Sequence, residues 1–294
     1  MRTRLLLFAC SLVALRSPSA LAETPGLLVS PAWVADHLAD PGLVLIHVGE
    51  REEYDAAHLP GARYLSLEDI STPHGEGLTL QLPAVEQLRS TFEALGVGDS
   101  GRIVLYFGKD WVSPTTRVFM TLDYLGVGDR TSILDGGMPA WRAEGRPVTS
   151  ELPAVTRASL TPRPKPDAVA DLAFVRANLT TPGVRIVDTR AREFYTGESD
   201  GRGRIPRPGH IQGARSLPFS ELVDEANRFR SEAELAALLR KAGVGLGDTI
   251  ISYCHVGQQA TVLYFAARLV GQPVRLFDGS YEEWAARPDL PVEK

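Results

Sequence analysis

The sequence predicts an α/β protein made of two similar domains, each with a mainly parallel sheet flanked by helices. Three observations predict this fold: five sequence blocks occur twice in the same order, short β-branched runs alternate with segments of helical spacing, and a proline-rich segment separates the halves. Alternating strands and helices are typical of parallel sheets that are covered on both faces. The length of 294 residues also suits two domains, since a domain commonly holds about 100–200 residues.

The N-terminus has the pattern of a secretory signal peptide. Arg2 and Arg4 precede a short apolar stretch, and small residues up to Ala22 follow it. The stretch is too short to span a membrane. We therefore expect a signal peptide over 1–22, cleavage near Ala22 and a periplasmic protein. A buried first helix, or lipid attachment at Cys10, fits the pattern less well.

The repeated blocks define the two domains. The blocks of the first half are 43–46, 51–54, 58–62, 103–107 and 135–141, and their counterparts are 184–188, 192–195, 210–214, 250–254 and 278–284. Apolar residues at helical spacing, followed by glycine-rich stops, predict helices over 85–95 and 232–242.

A linker is expected over 151–167, because this segment carries four prolines and shows no periodicity. The first domain is then 23–150 and the second is 168–294.

Cys254 is the residue most indicative of chemistry. It ends a strand-like run, and a loop with a glycine and a helix-like segment follow it. Backbone N–H groups and a helix start favour a negatively charged sulfur and can hold an anion. The predicted cradle consists of the amides of His255, Val256, Gly257, Gln258, Gln259 and Ala260. After cleavage Cys254 is the only cysteine, so a chemical role is favoured over a disulfide or an inert buried thiol.

These motifs resemble those of the tandem-domain rhodaneses, which are sulfurtransferases. The resemblance rests on the Cys-x-x-Gly loop after a strand, the two His-x-x-Gly-Ala segments and the two Asp-Gly…Trp segments. It implies two α/β domains, of which only the second is active. Phe107 stands where the second half has Cys254. We therefore expect a catalytically inactive first domain that supplies one wall of the cleft. The loop at 108–111 would be a solvated turn or contribute a contact to the cleft.

The resemblance implies a sulfurtransferase of the thiosulfate type. Cys254 would take a sulfane sulfur from thiosulfate, a small anion, and pass it as a persulfide to cyanide or a thiol. The alternatives are 3-mercaptopyruvate as donor, or a non-catalytic persulfide carrier with a protein acceptor. No cofactor is implied.

Three residues are expected to support the cysteine. Asp188 and Arg190 form the Asp-x-Arg of active rhodanese domains, and Arg190 would contact the substrate, orient the loop or simply pair with Asp188. His255 would be partly cationic and attract the donor, or face outward from the loop. Phe194 occupies the place of an arginine found in mercaptopyruvate-using members, which favours thiosulfate.

Other function classes fit poorly. The formal charge of -5 and the lack of a basic stripe argue against a nucleic-acid partner. A phosphatase of the Cys-x5-Arg type would need an arginine where Ala260 stands. Six histidines without a cluster of cysteines or acids at ligand spacing argue against a metal site.

Overall fold

The computed structural model describes residues 26–109 and 111–294. The expected signal peptide over 1–22, with Cys10 and Ala22, lies outside the described residues, and so does Asp110 of the loop at 108–111. Across the described ranges, the helices are all too short or too polar to cross a membrane.

The first domain is built on a sheet of five parallel strands. The strands are β1 (Leu28–Val29), β2 (Leu43–Val48), β3 (Arg63–Leu65), β4 (Arg102–Phe107) and β5 (Thr131–Leu134). The helices are α1 (Pro31–His37), α2 (Arg51–Ala56), α3 (Val85–Ala94), α4 (Val112–Tyr124) and α5 (Gly137–Ala143). The strand order is β1-β5-β4-β2-β3, and every pairing is parallel.

The second domain repeats this arrangement. Its strands are β6 (Val169–Ala170), β7 (Val184–Asp188), β8 (His210–Ile211), β9 (Arg215–Ser216), β10 (Thr249–Tyr253), β11 (Val274–Phe277) and β12 (Val292–Glu293). Its helices are α6 (Leu172–Ala177), α7 (Arg192–Tyr195), α8 (Glu232–Lys241), α9 (Ala260–Leu269) and α10 (Ser280–Ala285). The parallel order β6-β11-β10-β7-β9 matches the first sheet strand for strand, and β8 and β12 form a separate antiparallel pair. The predicted fold class is thus confirmed.

Local sequence accounts for these elements. The central strands β4 and β10 are buried along nearly their whole length, as expected for apolar runs covered by helices on both faces. The helices predicted over 85–95 and 232–242 are α3 and α8, each one residue shorter at its end. Ser231 and Glu234 start α8 with a capping box, in which each side chain accepts a backbone N–H of the other residue.

The two domains also share buried side-chain contacts. In each, a histidine ring stacks on a tyrosine, with ring centroids 3.9 Å apart for Tyr54 and His58 and 3.7 Å apart for Tyr195 and His210. The Nδ1 atom of each histidine lies at hydrogen-bond distance from the carbonyl oxygen of that tyrosine. The repeated histidines therefore stabilise the fold of each half.

One continuous core joins the two domains. Helices α4 and α9 pack together, with the rings of Phe119 and Phe265 edge to face at 4.6 Å. Buried Asp123 on α4 accepts hydrogen bonds from Tyr264 and Arg268 on α9. Arg268 also pairs at 2.8 Å with Asp129, whose side chain is 79% exposed. The domains are therefore held together by a buried interface with charged groups at its edge.

The proline-rich segment runs along the first domain without a helix or strand from 151 to 165. The backbone N–H of Leu160 donates to the carboxylate of Glu93 at 3.0 Å. The N–H of Thr161 donates to Asp99 at 2.6 Å. Two carboxylates of the first domain thus hold this segment in place.

Candidate active site

Cys254 lies at the carboxyl end of β10, the central strand of the second sheet. Ligands of parallel α/β sheets commonly bind at this edge. Five residues separate Cys254 from Ala260, the first residue of α9. The side chain is only 1% exposed, so a reactant must reach it through the cavity between the domains.

Donors from other parts of the protein hold the loop at Cys254 by hydrogen bonds to its carbonyl groups. The N–H groups of Tyr281 and Glu282 at the start of α10 donate to the carbonyl oxygens of Cys254 and His255, both at 3.0 Å. The guanidinium of Arg117 donates to the carbonyl oxygen of Gly257 at 3.2 Å. The N–H of Cys254 itself donates to the hydroxyl of Ser280 at 3.2 Å.

The N–H groups of the same loop are left without protein acceptors. Among the described residues, no side chain or carbonyl accepts a hydrogen bond from the N–H groups of residues 255 to 260. By contrast, the N–H groups of Thr261 and Val262 donate to the carbonyl oxygens of Gln258 and Gln259. Gly257 has a φ of +80°, as expected for the bend. The arrangement leaves a row of donors available for an anion.

A cavity of about 340 Å³ opens beside the sulfur. The second domain lines it with Cys254 and loop residues, and the first domain lines it with Trp111, Ser113 and Pro114. The side chain of Gln258 donates to the hydroxyl of Ser113 at 3.1 Å. The first domain therefore does supply one wall of the cleft.

Trp111 belongs to the loop at 108–111 and lines the cavity, which agrees with the contact expected as the alternative to a solvated turn. Its side chain is 53% exposed and stacks on Phe219 at 6.0 Å between ring centroids. Its position in the cavity wall follows from the packing of the two domains, and no motif in the sequence indicates it.

The surroundings of His255 do not favour the cationic form, which is one of the two alternatives for this residue. Burial, and to a lesser degree the nearby Arg190, lower the pKa of His255 to about 4. Its ring meets that of Phe194 edge to face at 4.6 Å. At neutral pH the residue is therefore an uncharged imidazole. The other described residues that line the cavity of Cys254 include no acid, lysine or arginine.

Arg190 and Asp188 form a buried ion pair. The Nη2 atom of Arg190 donates to Asp188 at 2.6 Å and to the carbonyl oxygen of Gly209 at 2.7 Å. The guanidinium also lies 4.0 Å above the ring of Tyr281. Both charged side chains are fully buried. Of the alternatives expected for Arg190, the geometry favours pairing with Asp188, while the Nη1 atom of Arg190 finds no hydrogen-bond partner among the described residues.

The first domain has a different pair of residues at the matching edge. Phe107 ends β4 where Cys254 follows β10, and it is buried. Gly137 stands where the second domain has Ser280, and a Cβ on Gly137 would lie 2.8 Å from the ring of Phe107. The aromatic ring therefore takes the room that a serine side chain takes beside Cys254. The place of Asp188 is filled by His47, which is buried and whose ring nitrogens have no hydrogen-bond partner among the described residues.

A second cavity of about 660 Å³ adjoins the first and shares His255 and Val256 with it. Phe194 and Arg204 line it. Arg207, three residues after Arg204, donates instead to the carbonyl groups of Arg287 and Leu290. No group of three metal-ligating side chains occurs within the described ranges.

Comparisons with known proteins point to one family. The family model described as a rhodanese-like domain matches residues 30–144 and 171–287. The chain is 29% identical to the thiosulfate sulfurtransferase of Azotobacter vinelandii, over 91% of this chain and 97% of that protein. It is 32% identical to the probable 3-mercaptopyruvate sulfurtransferase of Pseudomonas aeruginosa, over 90% of this chain and 97% of that protein.

Two further similarities extend this result. The sulfur carrier protein TtuD of Thermus thermophilus is 28% identical, over 92% of this chain and 97% of that protein. The crystal structure of an anaerobic ergothioneine biosynthesis enzyme from Chlorobium limicola superposes with a TM-score of 0.83 at 22% identity, over 94% of this chain and 72% of that one. At this identity the structural match concerns the fold alone.

The bend at Gly257 can be tested against a glycine of the same conformation. Gly257 and Gly247 both have a φ of +80°. An added Cβ would lie 2.8 Å from the carbonyl oxygen of Asp278 at Gly257, whereas at Gly247 it would meet nothing within 4 Å. We expect Gly247→Ala to cost about 1 kcal/mol of unfolding free energy without changing the rate at which iodoacetamide alkylates Cys254. Gly257→Ala should cost more and change that rate. Equal effects of the two substitutions would contradict the role given to the bend.

Proposed function

The chain belongs to the tandem-domain rhodanese sulfurtransferases, and we propose that Cys254 carries a sulfane sulfur as a persulfide from thiosulfate to cyanide or a thiol. The observation that carries the proposal is the position of Cys254 next to a row of N–H groups that have no acceptor among the described residues. The relatives support sulfurtransferase activity in general.

The reaction consists of two displacements. The thiolate of Cys254 attacks the outer sulfur of thiosulfate, a new S–S bond forms, and sulfite leaves with the electron pair of the bond that breaks. Cyanide or a thiolate then attacks the outer sulfur of the persulfide and regenerates the thiolate of Cys254. Negative charge is present on sulfur throughout. The N–H groups of residues 255–260 and the start of α9 are the donors suited to stabilise it.

Thiosulfate is favoured over 3-mercaptopyruvate because the site offers little to a carboxylate. Phe194 stands where mercaptopyruvate-using members carry an arginine. The guanidinium of Arg190 forms a buried ion pair with Asp188. The neutral His255 and the uncharged cavity wall leave thiosulfate to be held by backbone amides. We therefore propose that thiosulfate binds weakly and that sulfur transfer depends on the backbone N–H groups of the loop.

The persulfide carrier remains the second candidate. One relative is named a sulfur carrier protein, and the half-exposed Trp111 at the cavity offers a contact to a protein acceptor. A carrier would load one sulfur per Cys254 and release it only to its partner. Steady formation of thiocyanate separates an enzyme from such a carrier.

The nucleophile can be tested by intact-mass spectrometry after treatment with thiosulfate. The mature protein should gain one sulfur atom, and cyanide should remove it. Cys254→Ser should gain none and lose thiocyanate formation by at least about 1,000-fold. Phe107→Leu is the matched control at the same edge of the first domain, and it should keep the chemistry. It is a better control than Phe107→Ala, because truncating a buried phenylalanine to alanine costs about 3–5 kcal/mol. Sulfur transfer that persists in Cys254→Ser would refute the assignment.

Donor preference can be tested with the Phe194→Arg variant. The native protein should give a higher kcat/KM with thiosulfate than with 3-mercaptopyruvate. Phe194→Arg should raise kcat/KM for 3-mercaptopyruvate by about tenfold or more, because a guanidinium can bind its carboxylate bidentately. Phe194→Leu keeps the site uncharged and serves as the control. A native preference for 3-mercaptopyruvate would make that compound the donor.

We also propose that the protein is exported. The pattern of 1–22 supports this, and Cys254 is the only cysteine beyond Ala22. Expression in a Gram-negative host should give periplasmic protein whose N-terminal sequence starts after Ala22. Recovery of uncleaved protein from the cytoplasm would contradict export.

A further inference from the structure

Arg117 of the first domain reaches into the loop of the second domain. It lies on α4 and its side chain is fully buried. Nη1 donates to the carbonyl oxygen of Gly257 at 3.2 Å. Nη2 donates to the carbonyl oxygen of Leu80 at 2.5 Å and to the carboxylate of Asp278 at 2.7 Å. A single guanidinium therefore joins three segments that are far apart in the chain.

Asp278 completes this connection. Its other carboxylate oxygen accepts the N–H of Leu82 at 2.9 Å. It also begins the turn that contains Ser280 and Tyr281, and both of these hold the backbone of Cys254. The positive charge of Arg117 is thus compensated by a carboxylate in direct contact, as a buried charge requires.

The planarity of the peptide bond links these contacts to the N–H groups of the loop. In a trans peptide the carbonyl group of one residue and the N–H of the next lie in one plane and point in opposite directions. A donor that fixes a carbonyl group therefore fixes the following N–H. Helix α10 does this for the N–H groups of His255 and Val256 by holding the carbonyls of Cys254 and His255. Arg117 does it for the N–H of Gln258 by holding the carbonyl of Gly257.

We propose that Arg117 is a positioning residue for sulfur transfer, supplied by the first domain: by holding the carbonyl group of Gly257 it fixes the orientation of the N–H of Gln258, one of the loop donors beside Cys254 that have no protein acceptor. This inference rests on the proposed function. It assigns to the inactive domain a part in the reaction beyond that of a wall. Arg117 touches neither sulfur nor substrate in this arrangement, and acts through the loop.

The test compares Arg117→Met and Arg117→Lys with the control Asp129→Asn. The control removes a different ion pair between the domains, that of Asp129 with Arg268. Turnover is expressed per folded protein, with the folded fraction taken from thermal unfolding. Arg117→Met should lower kcat by about tenfold or more, since small displacements of a site can cost 100-fold, while KM changes by less than about threefold. Arg117→Lys should recover part of kcat, because an ammonium group can still donate to the carbonyl of Gly257. Asp129→Asn should keep the native kcat.

A merely structural role would give a different result. It would lower the unfolding temperature of both Arg117 variants and leave kcat per folded protein at the native value, and this would overturn the proposal. If Arg117→Met does not fold, kcat per folded protein and the unfolding temperature are compared for Arg117→Lys and Asp278→Asn instead. Each of these variants keeps part of the hydrogen bonding between Arg117, Asp278 and the loop.

A second readout separates this inference from the proposed function. Alkylation of Cys254 by iodoacetamide needs no sulfur donor. A native protein that accepts no sulfur refutes the proposed function, and the alkylation rates of the Arg117 variants still test the position of the loop. An alkylation rate unchanged in both Arg117 variants, together with an unchanged kcat where turnover occurs, would refute the positioning role.

Discussion

The site depends on the fixing of loop carbonyl groups from outside the loop. Two N–H groups at the start of α10 and the guanidinium of Arg117 hold the carbonyls of Cys254, His255 and Gly257. Because each peptide is planar, the N–H groups that follow them face the other way. A short loop with no side-chain charge of its own thereby becomes a set of oriented dipoles. Oriented dipoles need no rearrangement when negative charge develops, which is the usual basis of electrostatic catalysis.

The interface between the domains gives the first domain, which has Phe107 where the second has Cys254, a part in shaping the site. Helix α4 contributes Ser113 and Arg117 to the loop and the cavity, and Asp123 to the contacts with α9. The core is continuous across the interface. Separating the domains would expose apolar surface, take Tyr264 and Arg268 away from Asp123 and take Asp278 away from Arg117, and the loss of a partner from a buried charge is costly. Stability and the shape of the site therefore depend on the same helix.

Sequence alone was sufficient for the repeated fold, for the helices α3 and α8, and for Cys254 at the end of a central strand. These features follow from local spacing and from motifs that occur twice. The protonation of His255 and the pairing of Arg190 could not be read in this way, because burial and nearby charges decide them. The contact of Arg117 with Gly257 spans 140 positions in the chain, and Trp111 enters the cavity only through domain packing. No local pattern marks either residue.

Cys254 and Ser280 of the second domain correspond in sequence to Phe107 and Gly137 of the first. The ring of Phe107 lies where a side chain at position 137 would have to be, whereas Ser280 adopts a φ of +50° and accepts the N–H of Cys254. Replacing Phe107 alone by cysteine would leave a void and no hydroxyl for the backbone, and adding serine alone would clash with the ring. The two positions are energetically coupled. A cysteine at position 107 with a supporting serine at position 137 therefore requires both residues of the first domain to change together.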